Sequence, residues 1–270
     1  VYNLKAGILI RQGRLEEAKV NIEKALAQSP TLFPAKFNLA ATESRLGNVE
    51  KSNLLVEELL KLSPQHNETL MLKAFNLTKS GNLEEAKQIY LDILTLSPSN
   101  TGARERVSSL YQQQGDTKNA LYHLELLIKD EFDNPDYLLR KAALLLEINQ
   151  RADAEKTLSS VGNFINDEAG KLIAFADQAR NIGNNDWALN AMARAYEIAT
   201  TSTFVTLRYT SLLLDLQKND KAQSLLATIP ADQQQNPVYH FLNGRLAANK
   251  GDSERAIKAF EKALEIDSTF

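Results

Sequence analysis

The 270-residue chain has no cysteine, a single tryptophan and two methionines. The missing cysteine excludes disulfides, thiolate-ligated zinc, iron–sulfur clusters and a thiol nucleophile, and says nothing firm about compartment. Basic charge is not in excess. Lys and Arg number 31 against 34 Asp and Glu, a formal charge of -3, which argues against nucleic-acid binding through a general basic field. No apolar run approaches the roughly 18 residues that span a bilayer. No signal peptide opens the chain, which starts Val1-Tyr2-Asn3. It reads as an internal piece of a longer protein, with any targeting segment outside it.

Chemistry-bearing motifs are equally scarce. His66, His123 and His240 have no second ligand at a metal-binding spacing. No glycine-rich phosphate cradle, Walker loop or nucleophile elbow occurs. The pairs Glu16-Glu17, Glu57-Glu58 and Glu84-Glu85 sit at helix starts or on exposed helix faces, where the helix dipole and solvation account for them. Asn67-Glu68-Thr69 and Asn76-Leu77-Thr78 match a glycosylation pattern at the frequency chance supplies. No catalytic, cofactor or metal site is expected, and the chain reads as non-enzymatic.

What the sequence has is repetition. Gly13, Gly47, Gly81 and Gly115 are spaced by 34 residues, and the series continues through Asn149, Gly183, Gln217 and Gly251. Five residues after each stands Ala18, Ser52, Ala86, Ala120, Ala154, Ala188, Ala222 or Ala256. Seven residues before each stands Ala6, Ala40, Ala74, Ser108, Ala142, Ala176, Thr210 or Gly244. Apolar columns follow at Ile22 and Ala25 and their equivalents, and Pro30, Pro64 and Pro98 close the first three units. Spacings of three and four place these residues on one helix face. The small columns let two helices cross closely, and glycine supplies the left-handed turn between them. Asn149 suits that turn and Gln217 fits it poorly, so the seventh turn is expected to be altered. Ala86 belongs to the crossing, whereas Lys87 beside it reads as a residue whose loss costs little.

Stretches such as Gly13-Arg14-Leu15-Glu16-Glu17-Ala18 and Gly81-Asn82-Leu83-Glu84-Glu85-Ala86 resemble the tetratricopeptide repeat (TPR) family over the whole chain. The expected architecture is all-α, a right-handed superhelical α-solenoid of eight 34-residue helix–turn–helix repeats. Its units are approximately 1–32, 33–66, 67–100, 101–134, 135–168, 169–202, 203–236 and 237–270. The family's large residue near the start of the first helix is only partly present, with Lys36, Arg104, Thr206 and His240 among the exceptions. Units five to seven have Asn166, Thr200 and Gln234 in place of the closing proline. Looser geometry is expected there, with the second helix of unit five disturbed near Gly162-Asn163. No polar cap follows Phe260, so the parent is expected to continue with more repeats, and the bare ends to associate end to end.

The resemblance implies that first helices line a concave groove. Its slots fall on Phe37, Met71, Phe75, Leu139, Leu146, Ile173, Arg180, Leu207, Leu214, Phe241 and Arg245. Two readings stand side by side: an apolar channel for a partner segment, or side chains buried between neighbouring first helices. Asn3, Gly7, Phe37, Ala41, Met71 and Phe75 lack the Lys and Arg that clamp chaperone carboxyl termini in some relatives. The function implied is a scaffold for protein or peptide partners, without nucleic acid and without direct membrane insertion. Gly115–Leu124 and Ala231–His240 resemble the TPR lipoproteins of PEP-CTERM sorting and exopolysaccharide systems, which implies a periplasmic, outer-membrane-anchored parent. The alternatives are the recognition arm of an enzyme such as a glycosyltransferase, and a cytoplasmic signalling adaptor.

Overall fold

Between its turns the chain is rich in Leu, Ala, Glu and Lys, with apolar residues recurring every three or four positions, so each stretch closes into an amphipathic helix. The computed structural model describes residues 1–162, 164–165 and 167–270, and these contain sixteen α-helices and no strand. They divide into two compact units, Val1–Leu127 and Ile128–Phe270. The first contains α1 (Tyr2–Arg11), α2 (Leu15–Gln28), α3 (Phe33–Arg45), α4 (Val49–Leu62), α5 (Asn67–Lys79), α6 (Leu83–Leu96) and α7 (Thr101–Gln113). The division falls in the last turn of α8 (Thr117–Asp130). The second contains α9 (Pro135–Glu147), α10 (Arg151–Val161), α11 (Ala169–Asn181), α12 (Asn185–Ile198), α13 (Thr203–Asp215), α14 (Asn219–Leu226), α15 (Pro237–Asn249) and α16 (Ser253–Ile266). A short 3₁₀ turn, Ala231–Gln233, lies between α14 and α15.

The small columns are where helices cross. Ala6, Ala18, Ala40, Ala74, Ala86, Ala120, Ala142, Ala154, Ala188 and Ala222 are all fully buried. The two serines show that the columns face each other. Ser52 Oγ donates to the Ala40 carbonyl at 2.8 Å, and Ser108 Oγ to the Ala120 carbonyl at 2.8 Å. Each hydroxyl is thus satisfied on the opposite backbone, which a close crossing requires of a buried polar group. In the last hairpin the volume is exchanged. A Cβ placed on Gly244 would lie 2.5 Å from Phe260, so glycine there makes room for the larger ring.

Lys87 departs from its expected role. Its side chain is 16% exposed, donates to Gln114 Oε1 at 2.6 Å, pairs with Glu84 at 2.9 Å and lies 5.0 Å from the Tyr111 ring centroid. It ties α6 to the end of α7, contacts that its position in the repeat does not reveal.

All eight turns adopt one conformation. Asn149 (φ 60°) and Gln217 (φ 56°) are left-handed like the glycines. The closing bond, from the residue after the turn back to the fifth before it, is 2.8 Å for Lys218 to Leu213 and 2.9 Å for Asn82 to Leu77. The seventh turn is therefore unaltered, contrary to expectation, because the bonds from Gln217 to Leu214 at 3.1 Å and from Lys218 to Leu213 hold glutamine in place. The strain should be measurable. A left-handed non-glycine costs about 1–2 kcal/mol, partly offset by the greater unfolded-state freedom of glycine. Gln217→Gly should stabilise by about 0.5–1 kcal/mol in thermal melts, and an unchanged or lower melting temperature would refute the strain.

Of units five to seven, where looser geometry is expected, two are irregular. α12 runs its full length past Met192 and Tyr196, although Thr200 replaces the proline. α10 and α14 stop early, at Val161 and Leu226. The cause lies one turn earlier, in a column holding Leu26, Leu60, Leu94, Ile128, Tyr196 and Leu264 but also Gly162 and Pro230. Proline disfavours helical geometry in Ile229 before it, and glycine weakens the last turn of α10. Asn163 and Asn166, on which part of the expectation rested, lie outside the described residues.

Within each unit, first helices are also stitched to the preceding first helix. Arg45 donates to the Ile10 carbonyl at 3.2 Å, Lys79 to Ser44 at 2.8 Å and Asn249 to Leu214 at 3.3 Å. Each places a second donor on a carbonyl at the negative end of the preceding first helix, which already accepts from the amide of the turn residue. Among the described residues, no helix is long and apolar enough to cross a membrane.

Candidate functional site

The first-helix residues expected to face a partner divide into two groups. Leu139, Leu207 and Leu214 are 7%, 6% and 2% exposed. Neighbouring helices cover them, so these three positions belong to the core. Phe37, Met71, Phe75, Leu146, Ile173 and Phe241 are half-buried, Arg245 is half-buried and Arg180 is exposed.

In the first unit, Phe37 on α3 lies beside Phe33 and His66. The His66 ring is 4.8 Å from Phe33 and 5.9 Å from Phe37, both edge to face. With Asn38 and Glu68 they line a shallow depression of about 230 Å³. His66 holds its place as the N-cap of α5, where Nδ1 accepts from the Thr69 amide at 3.3 Å. On α5, Phe75 is flanked by two cations, with Lys79 Nζ 5.6 Å and the Arg106 guanidinium 5.8 Å from its ring centroid. Met71 on the same helix has its Cε 3.5 Å from where a Cβ on Gly102 would stand, so the glycine of α7 leaves room for it.

In the second unit the first helices carry a ladder of ion pairs. Arg180 and Arg245 meet on Asp215, at 2.8 and 2.6 Å. Asp177 takes two bonds from Arg208, at 2.6 and 2.5 Å. Both expected cations are thus brought together and neutralised by an aspartate, and they link α11, α13 and α15. Arg245 also stands 6.0 Å from the Phe241 ring. Asp215 and Arg208 escape a column-by-column reading because each becomes meaningful only beside its partner in the adjacent repeat. A spacing near 31 between opposite charges was the available signal.

Several polar groups are also buried in the first unit. Glu43 of α3 is fully buried, 2.5 Å from Lys51, 3.1 Å from Lys19 and 2.7 Å from Asn48 Nδ2. Asn76 of α5 is fully buried, donating to Ser52 and Asn53 at 2.8 Å and accepting from Ser44 Oγ at 2.5 Å. His123 is 9% exposed and stacks on Tyr111 at 5.7 Å. Burial, with Arg104 adding repulsion, holds its imidazole below the usual range and so neutral near pH 7. No group of three or more His, Asp or Glu among the described residues is placed to hold a metal ion.

Tetratricopeptide repeat models match residues 1–32, 68–100 and 237–270. No curated protein matches the chain. Among solved structures it is similar to PilF of Pseudomonas aeruginosa, with 19% identity and a TM-score of 0.63 over 79% of this chain and 96% of that one. It is also similar to PilW, a type IV pilus biogenesis factor, with 17% identity and a TM-score of 0.65 over 78% and 96%. The C-terminal part of a TPR protein from Cytophaga hutchinsonii aligns over 98% of this chain and 95% of that one, with 13% identity and a TM-score of 0.61. At these identities the neighbours establish the solenoid fold alone. The chain thus carries tetratricopeptide repeats at these three stretches, and its hairpins joined by eight left-handed turns give it the fold of tetratricopeptide repeat solenoids.

Proposed function

We propose that the chain is a non-enzymatic scaffold, an array of eight such repeats whose first helices receive a segment of a partner protein. The observation that carries this reading is the row of half-buried apolar side chains on successive first helices of the first unit, Phe37, Met71 and Phe75, bordered by Lys79 and Arg106. Apolar surface rimmed by cations suits an amphipathic segment that carries acidic residues. Leu146, Ile173 and Phe241 extend the same surface in the second unit, while the arginines Arg180 and Arg245 order the helices around it.

The exposed ends belong to the same proposal. Leu4 and Ile8 of α1 are 76% and 57% exposed, although Ile8 has a buried equivalent at Thr42, Asn76, Leu110 and Leu144. A further copy or a further repeat set against α1 would cover them. Work in the bacterial envelope as a PEP-CTERM-associated lipoprotein is the narrower form of the scaffold reading, and it rests on the two short resemblances alone.

The test is capture of partners from the native host by the wild-type chain and by a variant with Phe37, Met71 and Phe75 changed to serine. Each change removes part of an apolar contact, worth about 1–2 kcal/mol, so capture is compared at a temperature where circular dichroism shows both proteins folded. The expected result is loss of the captured partner from the variant. Capture that survives a large drop in melting temperature would make these residues structural and overturn the reading.

A further inference from the structure

The early end of α10 opens a cavity. In units one to four the column at Gly162 holds Leu26, Leu60, Leu94 and Ile128. Leu26, Leu60 and Leu94 pack against the cores of their units. Gly162 has no side chain to place there, and it lines a cavity of about 310 Å³ in the second unit, between α10, α11 and α12. Its walls are Leu158, Ile165, Leu172 and Phe175, none more than 9% exposed. It is open to solvent on one side, and its volume is about twice that of a ~150 Å³ apolar cavity that accepts benzene.

A second departure from the repeat stands at the same place. The column of Trp187 otherwise holds Glu17, Lys51, Glu85, Asn119, Asp153, Lys221 and Arg255, all polar or charged. Here an indole lines the cavity, its ring 6.1 Å from Phe175. Arg194, two turns further along α12, is the one ionisable residue among those lining the cavity. It is 46% exposed and is held by Asp167 at 2.5 Å, a carboxylate that is itself 72% exposed. The combination is a largely apolar cavity with Phe175 and Trp187 in its wall, Ser159 and Asn190 as its neutral polar lining, and a cation paired with an exposed acid.

We propose that this cavity binds an apolar group attached to a single carboxylate, with the apolar body against Trp187 and Phe175 and the acid on Arg194. A free aryl- or alkyl-carboxylic acid and the C-terminal phenylalanine of a polypeptide offer the same chemistry. This goes beyond the scaffold reading and uses none of the first-helix residues named for it.

Trp187 is the chain's single tryptophan, so its fluorescence reports on the site directly. The probes are 4-phenylbutyrate, its neutral analogue 4-phenylbutanol, and an acetylated tripeptide ending in phenylalanine as free acid and as amide. Saturable change with either acid is expected. Arg194→Gln should weaken the acids about fivefold or more while leaving the alcohol unaffected, and Asp167→Asn should strengthen them. Gly162→Leu should abolish binding. The backbone of Gly162 is helical and its added Cβ meets nothing closer than the Ser159 carbonyl at 3.6 Å, so this variant is expected to fold. Tighter binding of the tripeptide acid would assign the site to chain ends, and tighter binding of 4-phenylbutyrate to small molecules. No saturable change with any acid at millimolar concentration, alcohol binding equal to that of the acid, or binding undiminished in Gly162→Leu would overturn the proposal.

Discussion

Glu43→Ala should lower the unfolding free energy by about 3 kcal/mol, measured by urea or thermal melts. The carboxylate is fully buried and joins α2 through Lys19 to α4 through Asn48 and Lys51. Removing it leaves three donors without an acceptor, and each bond to a charged group contributes about 1.5–3 kcal/mol net. The loss stays below the sum because Lys19 and Lys51 are 24% and 51% exposed and regain water. Glu43→Gln keeps the shape and an acceptor oxygen, so it should cost about half as much. A loss below about 0.5 kcal/mol for the alanine variant would place Glu43 among ordinary surface positions.

The same group sets an acid dependence. Burial alone pushes the Glu43 carboxyl up, but hydrogen bonds from Lys51, Asn48 and Lys19 outweigh it and hold the group below its usual value of 4.5. Below that value the unfolded chain binds the proton more readily than the folded one, so stability falls with pH. The contribution is complete above about pH 4.5 and is lost as pH drops through the depressed folded value. Wild type should therefore lose stability more steeply below pH 4.5 than Glu43→Gln does. Parallel pH profiles for the two proteins would rule out this role.

Ala86→Leu is the second large effect. Ala86 is fully buried in a cluster with Ala74, Tyr90, Ile93, Ala103, Val107 and Leu110. A leucine there adds three carbons at a helix crossing that is closed by small side chains, which costs about 1–3 kcal/mol in strained rotamers and displaced backbone. Glu85→Ala is the appropriate control on the same helix, since Glu85 is exposed and should change stability by less than about 0.5 kcal/mol. Lys87 would be a misleading control because of its contacts with Gln114, Glu84 and Tyr111. Equal losses for Ala86→Leu and Glu85→Ala would refute the crossing.

Much of this architecture was legible as columns. A side chain at a helix crossing is restricted by volume in every unit alike, so Ala18, Ala86 and Ala154 repeat and can be read without coordinates. The turn was legible too, since one backbone conformation recurs at Gly13, Gly47 and Gly81. At Gln217 the reading went wrong because residue preference is a local tendency, whereas the bond from Lys218 to Leu213 is imposed by two docked helices. The early stops of α10 and α14 were present in the sequence as Gly162 and Pro230, in a column of otherwise large residues.

Other features had no column to betray them. Leu139, Leu207 and Leu214 occupy the same type of slot as Phe37 and Met71, yet the first three are core and the others half-exposed. Their burial depends on what the adjacent helix presents, not on their own period. The same holds for Arg180 and Arg245 meeting on Asp215, for Glu43 among its lysines, and for the chamber beneath Trp187. The sequence by itself determined the hairpins, their period and their crossings, because these obey constraints repeated within every unit. Only the tertiary structure decided which polar groups pair, which apolar ones stay open and where volume is missing, because each of those depends on two repeats at once.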